Sequence, residues 1–185
     1  MSLERGTAQI PEGAHAPGEA DLTLPARLVA AAADRGATIA TAESLTAGLV
    51  SATIASIPGS SAVLRGGVVC YATSAKHDLL GLPADMLEHV VSQRVAEAMA
   101  VAVAQRLGTD LGLATTGVAG PDWLDDQPPG TVWIAVADNA AARVHAQLLT
   151  CTGDRAAVRT ATVTAVLAAA LAAVQGLAMP GTPGA

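Results

Sequence analysis

The sequence predicts an α/β fold, a three-layer α/β/α sandwich around a mixed β-sheet. Three observations carry that expectation. Strand-like and helix-like segments alternate through the first two thirds of the chain. Two strand-like segments, 131–137 and 143–150, then follow each other, as the strands of a hairpin do. Hydrophobic residues make up 51% of the chain, yet they are mostly Ala, Val, Leu and Ile, with no Phe at all. A core of such short side chains must bring backbones close together, as helices laid on a sheet do.

The elements are expected in this order. A helix runs over 24–35, with Pro25 at its start and Gly36 as its stop. ATIATA, 37–42, alternates like a short strand. Residues 46–57 return to a helical pattern, closed by Pro58-Gly59-Ser60-Ser61. A strand over 64–72 leads to a short helix over 74–80 that ends at Gly81. A long amphipathic helix over 92–107 has Ser92 as its cap. A strand over 111–116 opens into a Gly/Pro/Asp loop over 117–130, and the hairpin follows. The last helix starts after Gly153-Asp154. Residues 22–177 read as one domain. Residues 1–21, rich in Gly, Pro, Ala and Glu, read as a disordered lead-in, and 178–185 as a frayed tail.

The formal charge of −6 argues against an electrostatic grip on nucleic acid or on an anionic membrane. It leaves room for one anionic ligand held by local arginines and helix N-termini. Cys70 and Cys151 make no disulfide framework and read as buried thiols in a reducing, cytoplasmic compartment. The N-terminus lacks a basic start followed by an apolar run. The most apolar segment, 156–174, carries Arg159 and three Thr, and reads as a packed helix rather than a membrane span. Its apolar face suits either an internal core or a second copy in a homo-oligomer. The histidines His15, His77, His89 and His145 have no ligand spacing, so no metal and no cofactor is expected. A Cys70–His77 nucleophile pair is conceivable, but nothing else in the chain supports it.

Four stretches carry candidate chemistry. In ATAESLTAGL, Ser44 stands where a strand ends and a helix is expected near Leu45. It reads either as the helix cap or as a nucleophile beside free backbone N–H groups. In VVCYATSAKHDLLG, Tyr71 and Lys76 are the sole tyrosine and the sole lysine, every other cation being arginine. Arginine cannot give up its proton, whereas a buried lysine can. Lys76 is therefore either a base for a serine or a stray survivor of arginine-rich composition. Tyr71 is either a proton relay or a half-buried packing residue. In ATTGVAGPD, Gly117 and Gly120 either cradle a ligand oxygen or make an ordinary turn. In TGDRAAVR, Asp154 caps the last helix, and Arg155 stands in its first turn, where a cation opposes the helix dipole. Arg155 and Arg159, four apart on one face, either clamp a phosphate or are simply solvated.

Taken together, TAESLTAGL, PGSSAVLRGGVVCYATSAKHDLLGLP, TTGVAGPD with PPGTVWIAVA, and TGDRAAVR resemble the C-terminal domain of the competence/damage-inducible CinA proteins over about residues 24–175. The resemblance implies a standalone amidohydrolase that converts nicotinamide mononucleotide to nicotinate mononucleotide and ammonia in pyridine nucleotide salvage. It implies Ser44 as nucleophile with Lys76 and Tyr71 as proton-transfer partners, and Thr46, Gly48, Gly117, Gly120, Arg155 and Arg159 as candidate substrate-binding residues. Either arginine is a candidate for the phosphate. A non-catalytic nucleotide- or protein-binding member, or an amidase for another small amide, are the alternatives. The family's usual Cys-Thr-Gly-Gly after the serine is here Leu45-Thr46-Ala47-Gly48, and the Ala47 methyl is expected to narrow the pocket floor. Ala72-Thr73-Ser74-Ala75 replaces Ser-Asn-Glu-Ala, and Trp123-Leu124 replace a Gly-rich loop. Longer relatives carry an N-terminal nucleotide pyrophosphatase domain that is not expected here.

Overall fold

The computed structural model describes residues 23–177. The expected lead-in and tail lie outside the described residues. Twelve segments follow in order: α1 (Leu24–Asp34), β1 (Ile39–Glu43), α2 (Leu49–Ala55), a 3-10 turn (Ser60–Ala62), β2 (Leu64–Val69), α3 (Thr73–Leu80), a second 3-10 turn (Ala84–Glu88), α4 (Gln93–Leu107), β3 (Leu111–Gly117), β4 (Thr131–Asp138), β5 (Arg143–Thr150) and α5 (Arg155–Gln175). The five strands form one sheet in the order β2-β1-β3-β4-β5. β1 is parallel to both β2 and β3, whereas β3, β4 and β5 run antiparallel. The sheet is mixed, as expected.

The two faces of the sheet differ in side-chain size, and this sets the layers. Ile39, Leu111, Leu113, Val132, Ile134 and Val136 pack with the buried faces of α1, α2 and α5. Ala40, Ala42, Ala114, Ala135 and Ala137 pack with α3 and α4. The small face lets α4 ride low. A Cβ on Gly112 would lie 2.0 Å from the Ala100 carbonyl oxygen of α4, closer than any real contact. This is how a chain without Phe builds a dense core.

The helix ends follow the expected chemistry in part. The Ser92 hydroxyl accepts from Val95 N at the start of α4, and Asp154 accepts from Ala157 N at the start of α5. Gly81, Gly108 and Gly176 close α3, α4 and α5 in the left-handed region. α2 departs from expectation: it begins at Leu49 rather than at residue 46, with Gly48 as its N-cap (φ 93°). The residues Leu45 to Gly48 form a turn instead. β2 stops at Val69, three residues early, and the chain bends at Ala72 into α3. Among the described residues α5 is the one helix long and apolar enough to cross a membrane, and 56% of its most apolar window is buried in the fold.

Candidate active site

Ser44 sits at the carboxyl end of β1, between two parallel neighbours. Its N–H donates to the Thr115 carbonyl of β3 (3.0 Å), which fixes the backbone at the strand tip. The cap reading of Ser44 does not survive, because Glu43 takes that role. The Glu43 carboxylate, 1% exposed, accepts from Gly48 N (2.9 Å), Val50 N (3.0 Å) and Ser51 N (2.8 Å), and from the Ser51 hydroxyl (2.9 Å). An anion at the α2 N-terminus is favoured both by free N–H groups and by the helix dipole. The Ser44 hydroxyl is thereby released from capping. It faces the other side of the sheet, toward α3.

There it meets Lys76, whose Nζ lies 3.0 Å from Ser44 Oγ and 3.0 Å from the Cys70 carbonyl oxygen. Lys76 is only 1% exposed and is among the largest fully buried side chains of the protein. Burial holds its ammonium below the usual lysine range, with the Cys70 thiol and the Asp125 carboxylate acting in the opposite direction. The sole lysine is thus neither stray nor solvated. A neutral amine has two hydrogens and one lone pair. The Cys70 carbonyl accepts one N–H and orients the group, leaving the lone pair for the Ser44 proton.

The serine opens into a cleft of about 240 Å³ lined by Ser44, Leu45, Tyr71, Gly117–Gly120, Asp122, Trp123, Leu124 and Arg155. Among the described residues, the N–H groups of Leu45 and Thr46 donate to no backbone carbonyl, and of the two residues Leu45 lines the cleft beside Ser44. Gly117 and Gly120 both line the cleft, and Gly120 takes φ +90°, which a side chain would strain. Arg155 reaches the cleft from the start of α5, donating to the Gly120 carbonyl (2.9 Å) and to the Tyr71 hydroxyl. Tyr71 is 54% exposed and is held by Arg155 rather than by Ser44 or Lys76.

The two arginines part company here. Arg159 turns away from the cleft and donates to the Thr46 carbonyl (2.8 Å), bracing the turn after Ser44. Thr46 and Gly48 are likewise outside the cleft lining. The Thr46 hydroxyl is buried against that of Thr115 (2.8 Å), and Gly48 is tied to Glu43. Ala47 is exposed and in the left-handed region (φ 51°), so its methyl does not narrow the pocket floor. Ala72, Thr73 and Ser74 are exposed and outside the lining. Cys70 and His77 do not pair: the Cys70 thiol, buried and with its pKa raised by that burial, bonds the Glu43 carbonyl, while His77 Nδ1 donates to the Leu82 carbonyl. Cys151 is only partly buried. Asp125, in the Gly/Pro/Asp loop, accepts from Val91 N (2.9 Å) and ties the 121–127 loop to the segment before α4.

Sequence reasoning passed over Glu43 and Asp122. A carboxylate directly before the candidate serine, with a glycine five residues on, was the available signal for Glu43. Asp122 had none beyond its place after Gly-Pro.

Comparison with known proteins decides the family. The family model described as the CinA C-terminal domain matches residues 21–174. The chain belongs to the CinA C-terminal domain family. A protein of Levilactobacillus brevis named for competence and damage induction is 49% identical over 141 residues, which is 75% of this chain and 34% of that one. A crystal structure of a CinA superfamily protein from Klebsiella pneumoniae superposes with a TM-score of 0.79 at 31% identity, covering 83% of this chain and 96% of the other. The competence/damage-inducible protein of Agrobacterium tumefaciens gives 0.76 at 32% identity, covering 82% and 93%. This CinA-family chain therefore shares its mixed-sheet fold with solved members, and it spans about a third of the length of the curated relatives it matches.

Proposed function

We propose that this chain hydrolyses the carboxamide of nicotinamide mononucleotide to nicotinate mononucleotide and ammonia. The observation that carries this reading is the buried Lys76 amine within hydrogen-bond reach of a serine on the cleft wall. Neutral Lys76 takes the Ser44 proton as Oγ attacks the carboxamide carbon. The oxyanion gathers charge beside the free N–H group of Leu45, which lines the cleft next to Ser44. The Lys76 ammonium then protonates the amide nitrogen, the C–N bond breaks, ammonia leaves, and an ester to Ser44 remains. Water attacks that ester, Lys76 accepts its proton, and the proton returns to Ser44 as the acid departs. Arg155, at the α5 N-terminus and in the cleft, suits the 5′-phosphate, whereas Arg159 braces the turn.

The test is ammonia release from nicotinamide mononucleotide by wild type, Ser44→Ala and Lys76→Arg. Both variants are expected to lose at least about a thousandfold in kcat. Equal rates in all three overturn the proposal. Nicotinamide riboside, which lacks the phosphate, is expected to show a raised KM in wild type and no further increase in Arg155→Ala.

A further inference from the structure

The chain contains three aromatic side chains besides histidine: Tyr71, Trp123 and Trp133. Trp133 packs against the α4-side core. The other two both line the cleft beside Ser44, 54% and 67% exposed, in a protein that builds its whole core almost without rings. Trp123 does not ride on a loose loop. Leu124 and Gln127 exchange both backbone bonds (3.2 and 2.9 Å), Asp125 and Asp126 take the left-handed turn conformation, and the Asp125 carboxylate ties the turn to Val91 N. The indole is therefore presented to the cleft on a braced turn rather than buried or left to wander. Beside it the cleft also carries the Asp122 carboxylate, and the Arg155 guanidinium lines the same cleft. An exposed indole face attracts cations as well as planar rings, through its negative π surface. A site with a π face and a carboxylate for a cation, together with a guanidinium for an anion, matches a ligand carrying a cationic aromatic ring and a phosphate.

We propose that Trp123 is a specificity-determining residue that selects a cationic heteroaromatic ring, an N-substituted pyridinium, by stacking on it, with Asp122 as countercharge. The identity of the ring rests on the amidohydrolase reading above; the stacking does not require turnover. The discriminating probe is the 1,4-dihydro form of nicotinamide mononucleotide. It keeps the carboxamide, ribose and phosphate but loses both the ring charge and the aromaticity. Calorimetric titration of Ser44→Ala is expected to show the oxidised nucleotide binding about tenfold or more tighter than the dihydro form. Adding Trp123→Ala is expected to weaken the oxidised form to the level of the dihydro form and to leave the dihydro form unchanged. Trp123→Phe is expected to restore most of the preference.

Equal affinity for the two forms, equal weakening of both by Trp123→Ala, or no binding of either overturns the proposal. The outcome is separable from the hydrolase test. A ring preference that depends on Trp123, with no ammonia from wild type, keeps this inference and removes the reaction. Ammonia release with no such preference does the reverse.

Discussion

Replacing Glu43 tests the claim that a buried carboxylate, rather than Ser44, holds the start of α2. Its oxygens accept three backbone N–H groups and the hydroxyls of Ser51 and Thr41 at 2.8 to 3.2 Å. Hydrogen bonds to an ionised group contribute about 1.5–3 kcal/mol each, but five such terms do not add when the hole can hydrate. Gly48 and Ser51 are partly exposed and water can reach their N–H groups, whereas Val50 N is sealed. Glu43→Ala is therefore expected to cost about 3–5 kcal/mol, the range for breaking a buried charged network. That is a large share of the ~5–15 kcal/mol that holds a typical domain. Glu43→Gln keeps one acceptor but turns an NH2 group on the remaining donors, and it should fall between. Urea unfolding reads the effect: with m near 2 kcal/mol/M, the Ala variant should lose about 2 M in midpoint at unchanged m. A loss under about 1 kcal/mol in the Ala variant would refute the reasoning and return the capping role to another group.

Lys76 should leave a pH signature in stability. Burial favours its neutral form, so the folded protein binds fewer protons than the unfolded chain between the lowered pKa and the ordinary 10.5. Stability from this group therefore rises with pH through that window, and its burial is most costly below it. Lys76→Met should gain relative to wild type most at lower pH, with the gain shrinking toward 10.5. The Cys70 carbonyl that loses its donor adds a constant offset and no slope. Parallel urea-midpoint curves for the two proteins across neutral to alkaline pH sink this account. Gly112→Ala drives a methyl into the Ala100 carbonyl and should cost about 3 kcal/mol by urea unfolding, since that backbone can move only by lifting α4 off the sheet.

The fold class was legible because its signals are local. The alternation of periods, Ser92 and Asp154 before their helices, and Gly81 after α3 each announce an element without reference to the rest of the chain. The start of α2 was not, because a side chain that precedes the turn reaches past it to satisfy the helix. Periodicity continued through Leu45–Gly48 even though the backbone did not. At the site, the rarity of Lys76 and Tyr71 drew attention to a stretch that the fold brings against Ser44, and the meeting of Lys76 with Ser44 depends on β1 and β2 being parallel neighbours. The division between Arg155 and Arg159 could not be read from i, i+4 spacing. It turns on which guanidinium meets the Thr46 carbonyl and which meets Gly120. The bracing role of Asp125 needed the Val91 N–H, 34 residues away.

The Cys70 N–H donates to the Glu43 carbonyl at 2.9 Å, continuing the ladder between β1 and β2 by one more bond. That single rung links the residue before the serine to the residue whose own carbonyl steers the amine. The spacing of Ser44 and Lys76 is thus inherited from sheet geometry and owes little to the loop over 118–130, which supplies much of the cleft wall. The Ser44–Lys76 contact and the 117–124 part of the cleft wall are carried by separate pieces of chain. Grafting a different β3–β4 connection onto this scaffold should change what the cleft binds while leaving the Ser44–Lys76 contact intact.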